Sequence, residues 1–336
     1  MKAVFFEKLG GADVLQYGEF PQPKAQSGET LVRVKACGVN HLDIWLRHRT
    51  NTPLPHIPGS DVAGVVEKIN GQGEFHVGDE VVINPAIPCG RCARCQKGQP
   101  CELVRIFGAA THGGYAEYVV VPITQLHPKP KNLSFTEAAA FPLTFLTAWH
   151  MLVSRAQLVR GESVFIWGAS GGLGMAAIQI AQHLGGRIIA AAKSQDMAKK
   201  IRKHGVDDVI VYTEEDVVGR VNSLTSGYGV DVVFESIGQK TWNQSLAMLR
   251  PYGRAVIAGT TSGNEATMDL SDLYVRQLSI FGARMGTKSE FEDVLKLVGE
   301  RKLQPKVDSV FSLSDTAKAQ ERMEKGEHVG KIVLEI

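Results

Sequence analysis

Several features are scarce in this sequence of 336 residues. Its 37 basic and 35 acidic residues nearly cancel, so no strong field attracts nucleic acid or an acidic membrane surface. No uncharged apolar run approaches the roughly 20 residues that span a bilayer. The segment from Met1 to Phe6 resembles a strand rather than a cationic leader with an apolar core. We therefore expect a cytoplasmic protein that binds neither nucleic acid nor membrane.

Cysteine is also rare, and four of the five cysteines lie between positions 89 and 101. In a cytosolic chain such a cluster indicates a metal site rather than disulfides. Four thiolates about 2.3 Å from one Zn²⁺ form a closed tetrahedral site that organises a loop and leaves no position for substrate. The sequence therefore predicts one structural zinc ion, held by Cys89, Cys92, Cys95 and Cys101.

The chain is long enough for two hydrophobic cores, and its pattern changes at Ser134. Up to residue 133, short strands alternate with glycine and proline, which favours an antiparallel barrel. In Leu31–Ala36, Val32 and Val34 fall on one face and Arg33 on the other. The first domain is therefore expected to be β-rich.

From 134 to 284, near-continuous apolar strands alternate with helices, as in an α/β fold with a doubly wound parallel sheet. The capping-box pattern Ser134–Glu137 opens the first helix, which Pro142 should bend or interrupt. Residues 285 to 336 end in a strand, Lys331–Ile336, that we expect to rejoin the first domain. The apolar strand Leu278–Phe281 would leave an exposed sheet edge, so we expect a homodimer or homotetramer.

A strand, Val164–Trp167, runs directly into the glycine-rich turn Gly168–Gly174 and then into a helix. This order is what a dinucleotide-binding Rossmann fingerprint requires, because glycines let the backbone approach the pyrophosphate and helix-end amides face the anion. The residues expected to bind the cofactor here are Ser170, Gly171, Gly172, Leu173 and Gly174. The ends of later strands on the same sheet edge should add Ser236, Gly238 and Gly259.

Cofactor preference is decided at the end of the second strand, where an acidic residue would bind the ribose of NAD. This chain instead offers Lys193 and Ser194, which suit a 2′-phosphate. A charge pair 4 Å apart contributes about 1 kcal/mol in bulk water and about 4 kcal/mol near a protein surface. We therefore expect NADPH as cofactor. In the alternative, Lys193 is only a surface lysine and the enzyme accepts both NADPH and NADH. Tyr212, which ends the third strand, would either flank the phosphate or only cap the strand.

Together these motifs resemble the medium-chain dehydrogenase/reductases, a family that includes zinc alcohol dehydrogenases and zinc-independent quinone reductases. The resemblance covers essentially the whole chain and also rests on the runs Gly59–Val66, Gly78–Val82 and Gly113–Tyr118. It implies a GroES-like catalytic domain at 1–133 and 285–336, with the zinc lobe at 89–101. It also implies that 134–284 form the Rossmann domain.

Alcohol dehydrogenases of this family hold a second, catalytic zinc, and the resemblance locates its three ligands. The first is a Cys in Gly-Val-Cys-His-Thr-Asp, where this chain has Asn40. The second is a His in Gly-His-Glu, where this chain has Ser60 followed by Asp61. The third falls at about Leu143, so all three are absent, and Cys37 lies three places too early to replace the first. The alternative is a metal site rebuilt from His41, Asp43, His56 and Asp61.

Without a Lewis-acid metal, oxidation of an unactivated alcohol is hard because the alkoxide is poorly stabilised. Quinones and α,β-unsaturated carbonyls already have an electron-poor carbon, so positioning and hydrogen bonding can suffice for their reduction. We expect hydride transfer to such a small molecule. Asn40 would donate a hydrogen bond to it, Asp43 would orient the pocket and His41 would relay a proton. The resemblance places Thr147 near the nicotinamide. A purely structural role is the alternative for each of these four residues.

Two other functions compete with this interpretation. A conventional zinc-dependent alcohol dehydrogenase would bind two zinc ions per chain instead of one. A non-catalytic crystallin-like or RNA-binding protein would keep the fold and bind the cofactor without turnover.

Overall fold

The computed structural model describes residues 1–336, and the chain divides into two compact units. The first unit comprises Met1–Leu143, Thr287–Arg301 and Pro305–Ile336. The second unit comprises Thr144–Gly286 and Lys302–Gln304. None of the helices combines the length and the hydropathy that crossing a bilayer requires.

Short strands form most of the first unit up to Pro128. These strands are Lys2–Phe5 (β1), Gln16–Glu19 (β2), Glu29–Gly38 (β3), Asp61–Asn70 (β4), Glu80–Ile83 (β5), Ala86–Ile87 (β6), Arg105–Ile106 (β7), Tyr118–Pro122 (β8) and Leu126–Pro128 (β9). The helices of the first unit up to Ala138 are His41–Leu46 (α1), Ala93–Gln96 (α2) and Phe135–Ala138 (α3), with 3-10 turns at Ala12–Val14 and Ile123–Gln125. Pro142–Trp149 (α4) begins in the first unit and continues into the second.

The central strand of this unit is β3, which pairs antiparallel with both β4 and β8. Its side chains alternate as predicted: Val32 and Val34 are buried, and Arg33 between them is exposed. β4 pairs antiparallel with β5, and β5 with β9. The buried faces of these strands share one apolar cluster, which includes Val32, Val62 and Val81. The predicted β-rich domain is confirmed.

A parallel sheet forms the centre of the second unit. Its strands are Ser163–Ile166 (β10), Arg187–Ala192 (β11), Asp208–Val211 (β12), Val230–Glu235 (β13), Leu249–Ile257 (β14) and Ser279–Gly282 (β15). They lie in the order β12-β11-β10-β13-β14-β15, with every neighbouring pair parallel. A π-helix, His150–Arg155, precedes them, and the helices between them are Gly172–Leu184 (α5), Gln195–Arg202 (α6), Val217–Leu224 (α7), Trp242–Ala247 (α8) and Leu270–Val275 (α9). This doubly wound sheet was predicted, and its strand order reverses between β10 and β13, where such sheets bind dinucleotides.

The last part of the chain completes the sheet of the first unit. It forms Lys288–Gly299 (α10), Val307–Ser312 (β16), a 3-10 turn at Leu313–Asp315, Thr316–Lys325 (α11) and Lys331–Glu335 (β17). The complete sheet has the order β16-β17-β3-β4-β5-β9, with β8 beside β3. β17 runs antiparallel to β3, with Val333 opposite Gly38. The C-terminal strand therefore lies next to the end of β3.

The boundary between the units lies at Leu143, later than the change of pattern at Ser134. α3 belongs to the first unit because it packs against β3 and β4. Pro142 separates two helices, since α3 ends at Ala138 and α4 begins at Pro142. Proline is tolerated at the first helical position because the N–H that it lacks would have no partner there.

Candidate active site

Three polar residues meet at the ends of three neighbouring strands of the first unit. Asn40 follows β3 and precedes α1, Asp61 is the first residue of β4, and Lys331 is the first residue of β17. In the two antiparallel pairs, Gly38 lies opposite both Asp61 and Val333, so these strand ends converge. The structure thus brings Lys331 to two positions that the sequence had singled out.

The side chains of Asn40, Asp61 and Lys331 form one hydrogen-bonded group, which we call the strand-end group. Lys331 Nζ donates to Asn40 Oδ1 at 2.6 Å, to Asp61 Oδ2 at 2.8 Å and to the Val39 carbonyl oxygen at 2.8 Å. Asn40 Nδ2 donates to Asp61 Oδ2 at 2.9 Å, and the Leu143 backbone N–H donates to Asp61 Oδ1 at 2.6 Å. The Lys331 ammonium only donates and the Asp61 carboxylate only accepts. The Asn40 amide must therefore turn its oxygen toward Lys331 and its NH₂ group toward Asp61.

The charged members of the strand-end group are removed from water. Lys331 is 3 % exposed and Asp61 is fully buried. Burial of two charges is tolerated only when they pair and keep their hydrogen bonds, and both conditions are met here. Lys331 was missed by the sequence analysis. Its only signal was a lysine that opens the apolar strand Ile332–Leu334, where a charge is not expected.

Asp43 supports the backbone around Asn40 from inside the first unit, where it is fully buried. Its Oδ2 accepts from the Asn40 N–H at 2.8 Å and from the Tyr115 hydroxyl at 2.8 Å. Its Oδ1 accepts from the Gly59 N–H at 3.0 Å. Burial raises the pKa of the Asp43 carboxyl to about 6, although these hydrogen bonds act in the opposite direction. Asp43 therefore ties the start of α1 to the residues before β4.

The histidines of the first unit have different surroundings. His41 is half-buried, its ring centroid 6.4 Å from that of Trp45, and burial together with the Lys331 charge lowers its pKa. His56 is buried, with Nε2 2.9 Å from the Gly108 carbonyl oxygen. No metal-ligand cluster is formed by the set considered for a rebuilt metal site, namely His41, Asp43, His56 and Asp61.

The four clustered cysteines converge in the loop around α2. Their sulfur atoms all lie within 4.8 Å of one another, and Cys89 Sγ is 3.9 Å from Cys95 Sγ. Tetrahedral Zn–S bonds of about 2.3 Å place sulfurs about 3.8 Å apart, so the cluster fits a structural zinc ion. The Cys95 N–H donates to Cys92 Sγ at 3.4 Å, and such backbone donors lower the pKa of Cys92 to about 6. At Cys92 this favours the thiolate form, which metal binding requires.

The glycine-rich turn of the second unit connects β10 to α5 at the carboxyl edge of the sheet. Gly168 has a φ of +61°, a left-handed conformation that glycine adopts readily. A Cβ atom at position 174 would lie 2.2 Å from the Gly168 carbonyl oxygen and 2.6 Å from Ala169 Cα, so only glycine fits there. The first turn of α5 provides backbone N–H groups at this edge, where a pyrophosphate would bind. The predicted residues from Ser170 to Gly174 all lie in this turn or at the start of α5.

The other predicted cofactor residues follow later strands of the same sheet. Lys193 follows β11 and is exposed, and Ser194 caps α6 by accepting from the Met197 N–H at 3.3 Å. The Tyr212 ring lies edge-on to Trp167, with 6.1 Å between centroids. Thr147, in α4, is buried and donates to Met285 Sδ at 3.9 Å. The residues that follow β13 and β14 include Ser236, Gly238 and Gly259.

Sequence analysis also missed Glu235, the fully buried last residue of β13. Its Oε1 accepts from the N–H groups of Ile237 at 2.6 Å and Gly238 at 2.9 Å. Its Oε2 accepts from the hydroxyl of Ser245 at 2.6 Å, and Ser245 Oγ accepts from Trp167 Nε1 at 2.9 Å. This chain of hydrogen bonds links the loop after β13 to the start of the glycine-rich turn. An acidic residue that ends an apolar strand was the available signal.

Comparisons with known proteins agree with both units. Residues 26–131 match the alcohol dehydrogenase GroES-like domain, and residues 172–300 match the zinc-binding dehydrogenases. A NAD-dependent alcohol dehydrogenase of Sulfolobus acidocaldarius is 32 % identical over 100 % of both chains. The quinone oxidoreductase of Homo sapiens is 28 % identical over 99 % of this chain and 97 % of its own.

Solved structures are similar over the whole chain. A crystal structure of a NAD-dependent alcohol dehydrogenase has 42 % identity and a TM-score of 0.95, covering 100 % of both chains. A thermostable alcohol dehydrogenase from Pyrobaculum aerophilum, with cobalt and zinc bound, has 34 % identity and a TM-score of 0.90 over 100 % of this chain and 99 % of its own. The fold, the glycine-rich turn and these relatives define a nicotinamide-dependent oxidoreductase. The chain belongs to the medium-chain dehydrogenase/reductase family.

Proposed function

We propose that this enzyme transfers hydride from NADPH to a quinone or an α,β-unsaturated carbonyl compound without a catalytic metal ion. The observation that carries the proposal is the Lys331 ammonium, which is hydrogen-bonded to both Asn40 and Asp61. At the three ligand positions of metal-dependent relatives, this chain has an amide, a hydroxyl and an aliphatic side chain, those of Asn40, Ser60 and Leu143. These residues do not fit Zn²⁺, which prefers thiolate, imidazole and carboxylate ligands.

The charge of the strand-end group also opposes a metal cation. Asp61 is its only carboxylate, and both of its oxygens already accept hydrogen bonds, from Lys331, Asn40 and the Leu143 N–H. A dication would have to displace these donors and lie close to a buried ammonium. At an effective dielectric constant of about 20, repulsion between a dication and an ammonium 4 Å apart amounts to about 8 kcal/mol. Hydrogen bonds must therefore take the place of a metal.

Asn40 is the donor that we propose for the acceptor oxygen. A bound nicotinamide supplies hydride when the cofactor occupies the second unit. Asn40 Nδ2 has two hydrogens and uses one for Asp61, so the second is available to the oxygen on which negative charge develops. The Lys331 ammonium on Asn40 Oδ1 polarises the amide and makes this N–H a stronger donor.

Three further residues have supporting roles in this proposal. Asp43 fixes Asn40 by accepting from its backbone N–H at 2.8 Å. His41 relays the proton to the product, because its lowered pKa keeps a neutral imidazole that both accepts and donates. Thr147 lies beside the nicotinamide ring.

We also propose the finer identity of the cofactor and of the assembly. Lys193 is exposed after β11, where the 2′-phosphate would lie, and Ser194 and Tyr212 would flank that phosphate. NADPH is therefore preferred over NADH.

The loop at 89–101 binds one structural zinc ion, which orders that loop and takes no part in the reaction. β15 forms one edge of the parallel sheet, and pairing of this edge would give a homodimer or homotetramer. The cysteines form no disulfide, and free thiols are typical of proteins in the reducing cytoplasm, so we propose that compartment for this enzyme.

A zinc-dependent alcohol dehydrogenase is the second candidate. It is favoured by the alcohol dehydrogenases among the similar structures, one of them with cobalt and zinc bound. It would require a second metal near Asp61, in addition to the ion held by the four cysteines.

Zinc content and turnover on the same preparation distinguish the two candidates. We expect one zinc per chain, and oxidation of NADPH by a quinone that persists after a chelator has been added and removed. Cys92→Ser is the matched control, because it should lower zinc content without abolishing the chemistry of the remaining folded enzyme. Two zinc ions per chain, together with alcohol oxidation that chelation abolishes, would refute the proposal.

A further inference from the structure

The buried carboxylate of Glu235 receives hydrogen bonds from four uncharged groups. The Ile237 and Gly238 N–H groups donate to Oε1, at 2.6 and 2.9 Å. The Thr241 and Ser245 hydroxyls donate to Oε2, at 2.9 and 2.6 Å. Each oxygen thus accepts two hydrogen bonds, which uses all the lone pairs of a carboxylate. Because desolvation of a carboxylate is costly, an apolar side chain would stabilise the hydrophobic core better than Glu235 does.

The contacts of Glu235 fix the conformation of the loop at 236–241, which follows β13. Both N–H groups on Oε1 belong to this loop, and Gly238 has a φ of +93° there. The loop is also held from its other side, because the Ser262 N–H and hydroxyl both donate to the Ile237 carbonyl oxygen at 2.8 Å. The backbone of Ile237 and Gly238 is therefore held in one arrangement.

This loop borders the point at which the strand order of the parallel sheet reverses. The Trp167 N–H donates to the Phe234 carbonyl oxygen at 3.1 Å, so the ends of β10 and β13 lie side by side. Ser245 links these two strand ends, since its Oγ accepts from Trp167 Nε1 at 2.9 Å and donates to Glu235. A Cβ atom at position 168 would lie 3.1 Å from Ser236 Oγ, so the loop lies against the glycine-rich turn. Dinucleotides bind at such a reversal, outside the carboxyl ends of the strands.

We propose that Glu235 is a positioning residue for the nicotinamide cofactor, which acts through the backbone of Ile237 and Gly238. The inference requires only that a dinucleotide binds at this reversal, and it is independent of the acceptor and of the metal-free reaction. Without the carboxylate, two N–H groups of the loop lose their acceptor, and the entering cofactor has to order the loop. Loss of a hydrogen bond to a charged group corresponds to about 10- to 100-fold in an equilibrium constant.

Glu235→Ala tests this assignment by the dissociation constants of NADPH and NADH. They are measured on the full-length protein without an acceptor, from the fluorescence of the bound reduced nicotinamide. We expect both constants to rise by about 10-fold or more. The factor should be the same for the two cofactors, because the loop lies on the opposite side of β10 from Lys193, which follows β11.

Glu235→Gln is the conservative variant and should restore binding. Its oxygen can still accept from Ile237 and Gly238, and its NH₂ group can donate to the Thr241 and Ser245 hydroxyls. We expect its dissociation constants to stay within about fivefold of the wild type. A residue that acted only through its negative charge would not be replaced by an uncharged amide.

Asp231→Ala is the matched control, because Asp231 lies near the other end of β13. It also accepts from a backbone N–H and a hydroxyl, both of Ser163 and both at 2.8 Å, and it pairs with Arg250. The variant should lower the temperature midpoint of unfolding, as loss of a merely structural carboxylate does, and leave the dissociation constants within about twofold of the wild type.

Ser245→Ala tests the link to the glycine-rich turn and serves as the second test where Glu235→Ala does not fold. We expect its dissociation constants to rise by about threefold, since one donor to Glu235 is lost. The double variant should bind no more weakly than Glu235→Ala alone, because Ser245 acts through Glu235.

Dissociation constants within twofold of the wild type in folded Glu235→Ala would overturn the assignment. The same result in Ser245→Ala would do so where Glu235→Ala does not fold, as would an equal loss of affinity in Asp231→Ala. A wild-type protein that binds NADPH but does not reduce a quinone would refute the proposed function and leave this inference in place. Failure of the wild type to bind either dinucleotide would overturn both.

Discussion

Replacing Lys331 by Met tests how strongly the buried ammonium holds the strand-end group. Met retains the apolar stem but leaves Asp61 as a buried charge, with Asn40 Nδ2 and the Leu143 N–H as its remaining donors. Removal of one partner from a buried pair costs about 3–5 kcal/mol, and two remaining donors favour the lower value. In domains of 150–250 residues, each kcal/mol corresponds to about 2–4 °C. The midpoint of the first unit should therefore fall by roughly 6–12 °C.

Thermal unfolding followed by circular dichroism measures this change, with two companion variants. Lys331→Met combined with Asp61→Asn removes both charges and should recover more than half of the lost stability. Lys129→Met is the control, because Lys129 is also buried but its partner Glu80 has a side chain that is 54 % exposed and stays hydrated. A Lys331→Met midpoint within 2 °C of the wild type, or a double variant no more stable than the single one, would refute the reasoning.

Two further predictions concern the cofactor and the pH dependence of stability. Lys193→Ala should raise the KM for NADPH by about 10-fold and leave the KM for NADH unchanged, since one exposed charge pair is worth about 1 to 4 kcal/mol. Steady-state kinetics with both cofactors measures the two KM values. Equal effects on both would contradict a contact between Lys193 and the 2′-phosphate. Burial lowers the pKa of His127 to about 4, so between pH 4 and 6.5 the unfolded chain binds a proton that the native chain does not. The stabilisation by neutral His127 is therefore complete above pH 6.5 and is lost as pH falls toward 4, by about 3 kcal/mol. His127→Leu should flatten this part of the stability profile in urea titrations, and identical slopes for variant and wild type would show that other groups cause it.

Many features of this protein could be predicted because their signals are local. The run Gly168–Gly174 lies between an apolar strand and a helix, so the turn and its glycines follow from adjacent residues. The four cysteines lie in one short loop, and their convergence needs no long-range information. The alternation in β3 and the switch to apolar strands after residue 134 are equally local, and the structure has both.

The strand-end group shows where such reasoning ends. The resemblance indicated that Asn40 and Ser60 stand at ligand positions of metal-dependent relatives, with Asp61 next to Ser60, but nothing in the sequence paired a cation with Asp61. Lys331 lies 270 positions from Asp61, and only the pairing of β17 with β3 brings its ammonium to this place. The role of Glu235 depends in the same way on Ser245 and Trp167, which the fold brings together from different elements.

By itself, the sequence determined the two fold types, the glycine-rich turn and the cysteine cluster, because the type and spacing of residues close together in the chain decide each of these. Only the tertiary structure decided which buried charge balances Asp61 and which distant donors hold the carboxylates of Asp43 and Glu235. The physical reason is that desolvation and hydrogen-bond satisfaction depend on neighbours from distant strands, and no local pattern records those neighbours.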